Sequence, residues 1–194
     1  APLCSDETFI RRAYLDTMGI LPSVEEVRSF IADTTPSAEK RNLLVDDILA
    51  RIEFTDYWTY KWSDLLLVNG QVLRPAAVKA YYEWIREQVS KNRPWDEMVQ
   101  ELVVASGNTL ENGAANFYSI HQSPEEMSET VAQAFMGLSI NCAKCHNHPL
   151  EKWTNDEYYA MANMFSRVRA KGWGGDPRNG DGDRIIFVDL HGEL

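Results

Sequence analysis

The chain has 194 residues, a length that suits one domain or a domain with an appendage. Of these, 44% are hydrophobic, with 6 Trp, 8 Tyr and 7 Phe among them, so a sizeable core is expected. A net charge of −10 makes the surface acidic, which disfavours nucleic acid and anionic lipid and suits cationic partners.

No apolar run approaches the roughly 20 residues of a membrane-crossing helix. The opening APLCSDETFI has neither the basic start nor the apolar stretch of a signal peptide, and the two ends read as those of a mature or excised piece. Three cysteines are too few, and odd in number, for a disulfide framework. Cys4 stands alone near the start and is given no function.

Helix signals follow one another along the chain. SDETFIRRAYLDTMG sets Phe9, Ile10, Ala13, Tyr14 and Met18 at helical spacing between Ser5 and a stop at Gly19. PSVEEVRSFIAD places Ser23 and Glu26 at capping-box spacing, where each side chain satisfies the other's backbone N–H. SAEKRNLLVDDILAR starts at Ser37 and keeps Leu43, Leu44, Ile48 and Leu49 on one stripe. TDYWTYKWSDLLLV ends at the turn dipeptide Asn69-Gly70. Pro75 and Pro94 suit the first turns of AAVKAYYEWIREQVSK and WDEMVQELVVAS. Residues 107–116 read as a polar loop, and Ser123, Pro124 and Glu126 then open EEMSETVAQAFMGLSI. Thr154 and Glu157 form another capping box ahead of DEYYAMANMFSRVRAK.

From Gly172 the character changes. GWGGDPRNGDGD reads as a loop, and RIIFVDL as the only convincing strand, expected to pair with something outside this chain. The pattern predicts an all-α fold, a multi-helix orthogonal or bundle domain over 1–171 with a short C-terminal loop and strand. Residues 172–194 read as an appendage that leads into a neighbouring domain.

The densest chemistry lies in NCAKCHNHP at 141–149. Two of the three cysteines and two of the four histidines fall between Cys142 and His148. Cys142, Cys145 and His146 form C-x-x-C-H, the c-type haem attachment pattern. In roughly helical backbone, two thiols three positions apart can reach the two vinyl groups on one porphyrin edge, and the next residue brings an imidazole to the iron.

Zinc is the chief rival, because Cys142, Cys145, His146 and His148 supply four suitable ligands. Structural zinc usually joins two pairs a dozen or more residues apart, however, and adjacent Cys145 and His146 would strain a tetrahedron. A thioredoxin-like dithiol needs a preceding strand, which is not predicted here. Plain burial of small residues leaves Lys144 and both histidines unexplained. Haem is the leading reading.

Three separated stretches carry a family resemblance: FIRRAYLDTMGILPSVEEVRSFIAD, KNRPWDEMVQELV, and PEEMSETVAQAFMGLSINCAKCHNHPLEKWTNDEYYAMANMF. In order and spacing they resemble a planctomycete family of unknown function with a C-x-x-C-H-x-H-P motif, over about Asp6 to Val168. Members occur in large exported proteins beside planctomycete cytochrome c-like domains. The resemblance implies an all-α domain, exported to the periplasm or cell envelope, with Cys142 and Cys145 as thioether cysteines and His146 as proximal iron ligand. His148, Pro149, Trp153 and Tyr158 fall on recurring family positions. It implies no reaction.

A sixth iron ligand must come from the other face of the ring. His148 lies two residues from His146, and two residues span at most about 7 Å, too short to straddle a porphyrin. His148 is therefore expected in the second shell, or capping local backbone. His121, Met161 and Met164 are the distal candidates. Competing with these roles are an exposed, uninvolved imidazole for His121 and core packing for the methionines; a vacant sixth position stays open. Trp153, Tyr158, Tyr159 and Phe165 are placed to wall a haem, and helical spacing equally makes them core residues.

Asn179, Asp181 and Asp183 alternate like the start of a calcium loop. Arg184 and Leu190 stand where that pattern wants Gly and Glu, so a solvated Gly/Asp loop is the simpler reading. No phosphate loop, nucleophile elbow or H-E-x-x-H is present.

The expected function is a monohaem c-type cytochrome domain for electron transfer within a larger exported protein, with the question of enzyme activity left open. Its acidic surface would steer a basic redox partner or a neighbouring cytochrome domain. A zinc-stabilised scaffold module and a five-coordinate haem enzyme of peroxidase type are the alternatives.

Overall fold

A computed structural model of the chain describes residues 3–121, 123–171 and 184–190. The chain divides into two compact units, Ala1–Lys61 and Trp62–Leu194. The division falls inside a helix, at a place the sequence does not mark. None of the helices among the described residues is long and apolar enough to cross a membrane.

The first unit holds α1 (Asp6–Met18), α2 (Val24–Ala32), α3 (Ser37–Leu49) and the part of α4 (Ile52–Leu65) up to Lys61. Ser5 caps α1, and Gly19 ends it in the left-handed conformation at φ 68°, where a Cβ would also run into the Tyr57 ring. The predicted capping box of Ser23 and Glu26 is formed. Ile10, Tyr14, Met18, Phe30 and Ile48 make the core.

A charged knot closes the entrance to α3. Lys40 is only 6% exposed, and its ammonium donates to the carbonyls of Phe30 and Asp33 at 3.1 Å each and pairs with Asp6 at 2.8 Å. Arg41 and the Ser37 hydroxyl also donate to Asp6. Hydrogen bonds from Lys40, Ser37 and Arg41 hold the Asp6 carboxyl well below the usual carboxylate range. A buried ammonium is tolerable here because every direction it faces supplies an acceptor.

The second unit continues with the end of α4, then α5 (Pro75–Ser90), α6 (Trp95–Val103), α7 (Asn116–Ile120), α8 (Pro124–Phe135) and α9 (Asn155–Asn163). Strands β1 (Gly107–Asn108), β2 (Val168–Lys171) and β3 (Ile185–Val188) form a small antiparallel sheet in the order β1-β3-β2. The fold is thus the mostly α, multi-helix class that the sequence predicts. Its main core gathers Leu66, Tyr81, Trp84, Ile85, Leu102 and Phe117. Gly113 opens a 3-10 turn pressed against α5 so closely that a Cβ would meet the Ala80 carbonyl and the Trp84 side chain. A second cluster, Ala132, Ile140, Ala143, Tyr158 and Met161, lies under the Cys/His segment.

Two expectations are corrected. The C-terminal strand finds its partners inside this chain: Ile186 sits opposite Gly107 on one side and Ala170 on the other. The helix after Thr154 stops at Asn163, eight residues before the predicted end, since the amides of Phe165 and Ser166 turn back three residues to Ala162 and Asn163. That tight turn releases Val168 into β2 and buries Phe165. The loop at 107–116 likewise contains β1 and the 3-10 turn.

The first unit should lose stability in acid. Glu26 accepts from the Ser23 N–H at 2.7 Å and pairs with Arg51 at 2.7 Å, which pulls its pKa from the ordinary 4.5 to about 2. The folded value lies below the unfolded one, so the contribution is present above pH 4.5 and disappears as the pH falls toward 2. Chemical denaturation across that window is expected to show a shallower decline for Glu26→Gln than for the natural chain.

Candidate functional site

The Cys/His segment is prepared by the end of α8. Gly137 takes the left-handed conformation at φ 65°, and the Leu138 amide returns to the Ala132 carbonyl at 3.0 Å. The chain then buries Ile140 and enters a 3-10 turn over Asn141–Lys144, whose Ala143 is fully buried against Tyr158 and Met161. Buried Ala143 faces the core, so Cys142 and Cys145 point outward; both are exposed free thiols. Cys142 lies within the 3-10 turn and Cys145 is the residue that ends it.

His146 follows at the exposed surface. Its Nδ1 lies 2.7 Å from the Asn147 carbonyl and donates to it, leaving Nε2 without a hydrogen-bond partner among the described residues. Metal-binding histidines are commonly oriented by just such a bond from the other ring nitrogen. His148 is turned the opposite way. Its Nδ1 accepts from the amides of Leu150 (3.2 Å) and Glu151 (2.9 Å), and its own amide donates to the Trp153 carbonyl at 2.7 Å. A neutral imidazole accepting at Nδ1 carries its proton on Nε2. Binding a metal through Nε2 would move that proton to Nδ1 and break both backbone contacts.

What holds the segment in place was not read from the sequence. Asn155, the first residue of α9, donates from Nδ2 to the carbonyls of Ala143 (2.8 Å) and Lys144 (2.9 Å). Its backbone N–H donates to Asn147 Oδ1 at 3.0 Å, and the Tyr159 hydroxyl reaches the Lys144 carbonyl at 3.3 Å. The sequence marks Asn155 only as the residue after a helix cap. Tyr158, fully buried, donates its hydroxyl to Glu129 on α8 at 2.6 Å, and burial raises its pKa.

Residues 1–170 match the family PSCyt2, described as a protein of unknown function (DUF1549). The chain belongs to that family. Comparison with curated proteins and with solved structures finds no match. In this PSCyt2 chain the match takes in the Cys/His segment, α9 and most of β2, while β3 lies beyond it.

The zinc arrangement does not assemble: among the described residues no three His, Cys, Asp or Glu side chains converge on a place for a metal ion. A haem attachment fits what is present, because two exposed thiols three positions apart precede an imidazole oriented through Nδ1. The neighbouring surface is apolar. Met136, Leu150, Trp153, Ala160, Met161 and Met164 line a groove of about 780 Å³, with Glu151, Lys152 and Glu157 at its edge. Cys142, Cys145 and His146 are not among its lining residues.

The distal candidates separate by their surroundings. The expectation of an exposed His121 is overturned: it is 7% exposed, with Nδ1 at 2.7 Å from the Phe117 carbonyl and Nε2 at 2.8 Å from the Thr130 hydroxyl. Burial lowers its pKa, so it is a neutral ring with both nitrogens engaged. Met161 belongs to the core beneath the turn, whereas Met164 is 69% exposed along the groove. Trp153 is half-buried beside Ala143 and Tyr158. Cys4 is a half-buried free thiol, and its carbonyl accepts from Arg41. Asn179, Asp181 and Asp183 lie outside the described residues.

Asn155→Ala removes both carbonyl contacts from the turn. Each is worth about 1 kcal/mol, so exchange of the Ala143 amide hydrogen should quicken by about tenfold or more. Amides in the α5 core should be unchanged, as read by hydrogen exchange on the folded chain.

Proposed function

We propose that this chain is a c-type cytochrome domain carrying one covalently bound haem and transferring electrons within a larger exported protein. The observation that carries the reading is the pairing of two exposed thiols, three positions apart at a 3-10 turn, with a His146 ring already oriented through Nδ1, its Nε2 without a hydrogen-bond partner among the described residues. Cys142 and Cys145 would hold the group by thioether bonds, and His146 Nε2 would be its axial ligand. When bound, a haem supplies a one-electron iron couple.

The chain's own residues fix the geometry of attachment. Asn155 and Tyr159 keep the carbonyls of the turn in place, and Tyr158 and Met161 support it from below. His148 shapes the return of the chain by accepting two backbone N–H bonds, a role for which ring protonation at Nδ1 would be disruptive. The resemblance of the sequence to exported, cytochrome-associated proteins agrees with this reading. An acidic chain of net charge −10 favours a basic redox partner or a basic neighbouring domain.

Of the three distal candidates, Met164 alone combines exposure with a donor atom not committed to the core or to hydrogen bonds. A Met ligand would raise the potential relative to His.

The chain produced in a host with haem-maturation machinery should keep its visible chromophore through acid–acetone extraction. A pyridine haemochrome assay should report one haem per chain. Replacing Cys142 and Cys145 by Ala should abolish the retained colour, and failure of the natural chain to retain any would overturn the reading.

Met164→Leu is expected to turn a low-spin spectrum into a high-spin one. A natural chain that is already high-spin and five-coordinate would instead select the peroxidase-type reading.

A further inference from the structure

Away from the Cys/His turn, the second unit has a cavity of about 280 Å³ walled by Tyr118, His121, Ser123, Met127, Arg169 and Arg184, with no Asp or Glu among the described residues of its lining. Its charge is anomalous for this molecule. Acidic residues outnumber basic ones by 29 to 19 in the chain, yet two arginines line this one cavity.

Arg184 is anchored by its backbone. Its amide donates to the Thr109 hydroxyl at 2.9 Å, and its carbonyl accepts from the Thr109 amide at 2.9 Å. Its side chain donates from Nη1 to the Ser119 carbonyl at 3.0 Å, while Nε is buried without any partner. Arg169 donates from Nη1 to the carbonyls of Ser166 and Val168. Neither arginine has an ion pair with a carboxylate among the described residues.

A half-buried cation without a counter-charge is unfavourable unless something repays its lost hydration. Burial accordingly lowers the Arg184 pKa. The remaining wall adds no negative charge. His121 is neutral with both nitrogens engaged, and the Tyr118 hydroxyl is spent on the Val103 carbonyl. Glu126 acts on His121 through its charge from the first turn of α8, but it does not line the cavity. Ser123 and Pro124 bring the start of α8, a 12-residue helix, to the same wall, and its dipole presents its positive end there.

We propose that this cavity is a binding site for a small oxyanion, a phosphate or a carboxylate group, received by Arg184 and Arg169. The planar fork of a guanidinium matches two oxygens of either group. At about 30 Å³ per water the volume corresponds to roughly nine waters, which admits an inorganic anion or a short dicarboxylate and excludes a nucleotide. The site is independent of any haem on the Cys/His turn.

Titration calorimetry on the full chain, with sodium phosphate, sodium succinate and sodium chloride at matched ionic strength, tests the site. Saturable heat with phosphate or succinate, and none with chloride, is expected; the stronger of the two identifies the group. Arg184→Gln should weaken binding by about tenfold or more, and Arg169→Gln by several-fold. Arg169 is exposed, so Arg169→Gln keeps the test informative should Arg184→Gln not fold. Absence of saturable binding by both oxyanions, or binding undiminished in the folded variants, would overturn the proposal.

Discussion

The Asn155 carboxamide, bonded to two successive carbonyls of the Cys/His turn, is the contact on which the site depends. A 3-10 turn is short and its hydrogen bonds are poorly aligned, so it does not hold itself open. Here one edge is fixed to the start of α9 by Asn155, and the underside rests on Tyr158 and Met161 through Ala143. The outward direction of Cys142 and Cys145 follows from that seat, because burying Ala143 leaves the residues on either side facing solvent. His146 and His148 then diverge: one ring donates to the backbone, and the other accepts from the backbone. Two histidines two positions apart therefore take opposite hydrogen-bonding roles at Nδ1, set by neighbouring amides and carbonyls rather than by their own identity.

The first unit solves a different problem with the same economy of contacts. Three short helices offer a core of only a few large residues, and Lys40 is buried among them. Its ammonium satisfies the carbonyls of Phe30 and Asp33 where α2 ends, and its pairing with Asp6 ties the start of α1 to the start of α3. The Phe30 and Phe9 rings lie under Lys40 and Arg41 respectively, so the charged pair also covers aromatic surface.

Features encoded within three or four residues were legible in the sequence. The caps at Ser5, Ser23, Ser123 and Thr154 are all formed, since a hydroxyl and an amide three positions apart need nothing from the rest of the chain. Of the sheet, β3 was legible as the strand in RIIFVDL, but its partners were not. β1 is two residues long and pairs across a separation of more than seventy positions, so neither alternation nor turn chemistry marks it. The end of α9 was overrun because Met164, Phe165 and Val168 continue a helical spacing while the backbone has already turned. The division between units falls within α4, where no change of composition announces it. At the site, residue types and spacing pointed to the Cys/His turn. The direction of each imidazole, the burial of His121 and the role of Asn155 depend on packing from distant elements.

Exposure of the turn bears on how any group could be kept there. Cys142, Cys145 and His146 are all open to solvent, and the apolar groove nearby is lined by other residues. Burial alone stabilises a bound apolar group by about 25 cal/mol for each Å² removed from water, and an open turn removes little. Retention there has to come from bonds to the turn itself. Thioether attachment supplies such bonds without requiring the helices to part and build an internal pocket. A tetrahedral zinc site would instead require His148 to give up the two amide contacts that shape the chain toward α9. The same local hydrogen bonds that position the two histidines make the turn a poor four-ligand cage.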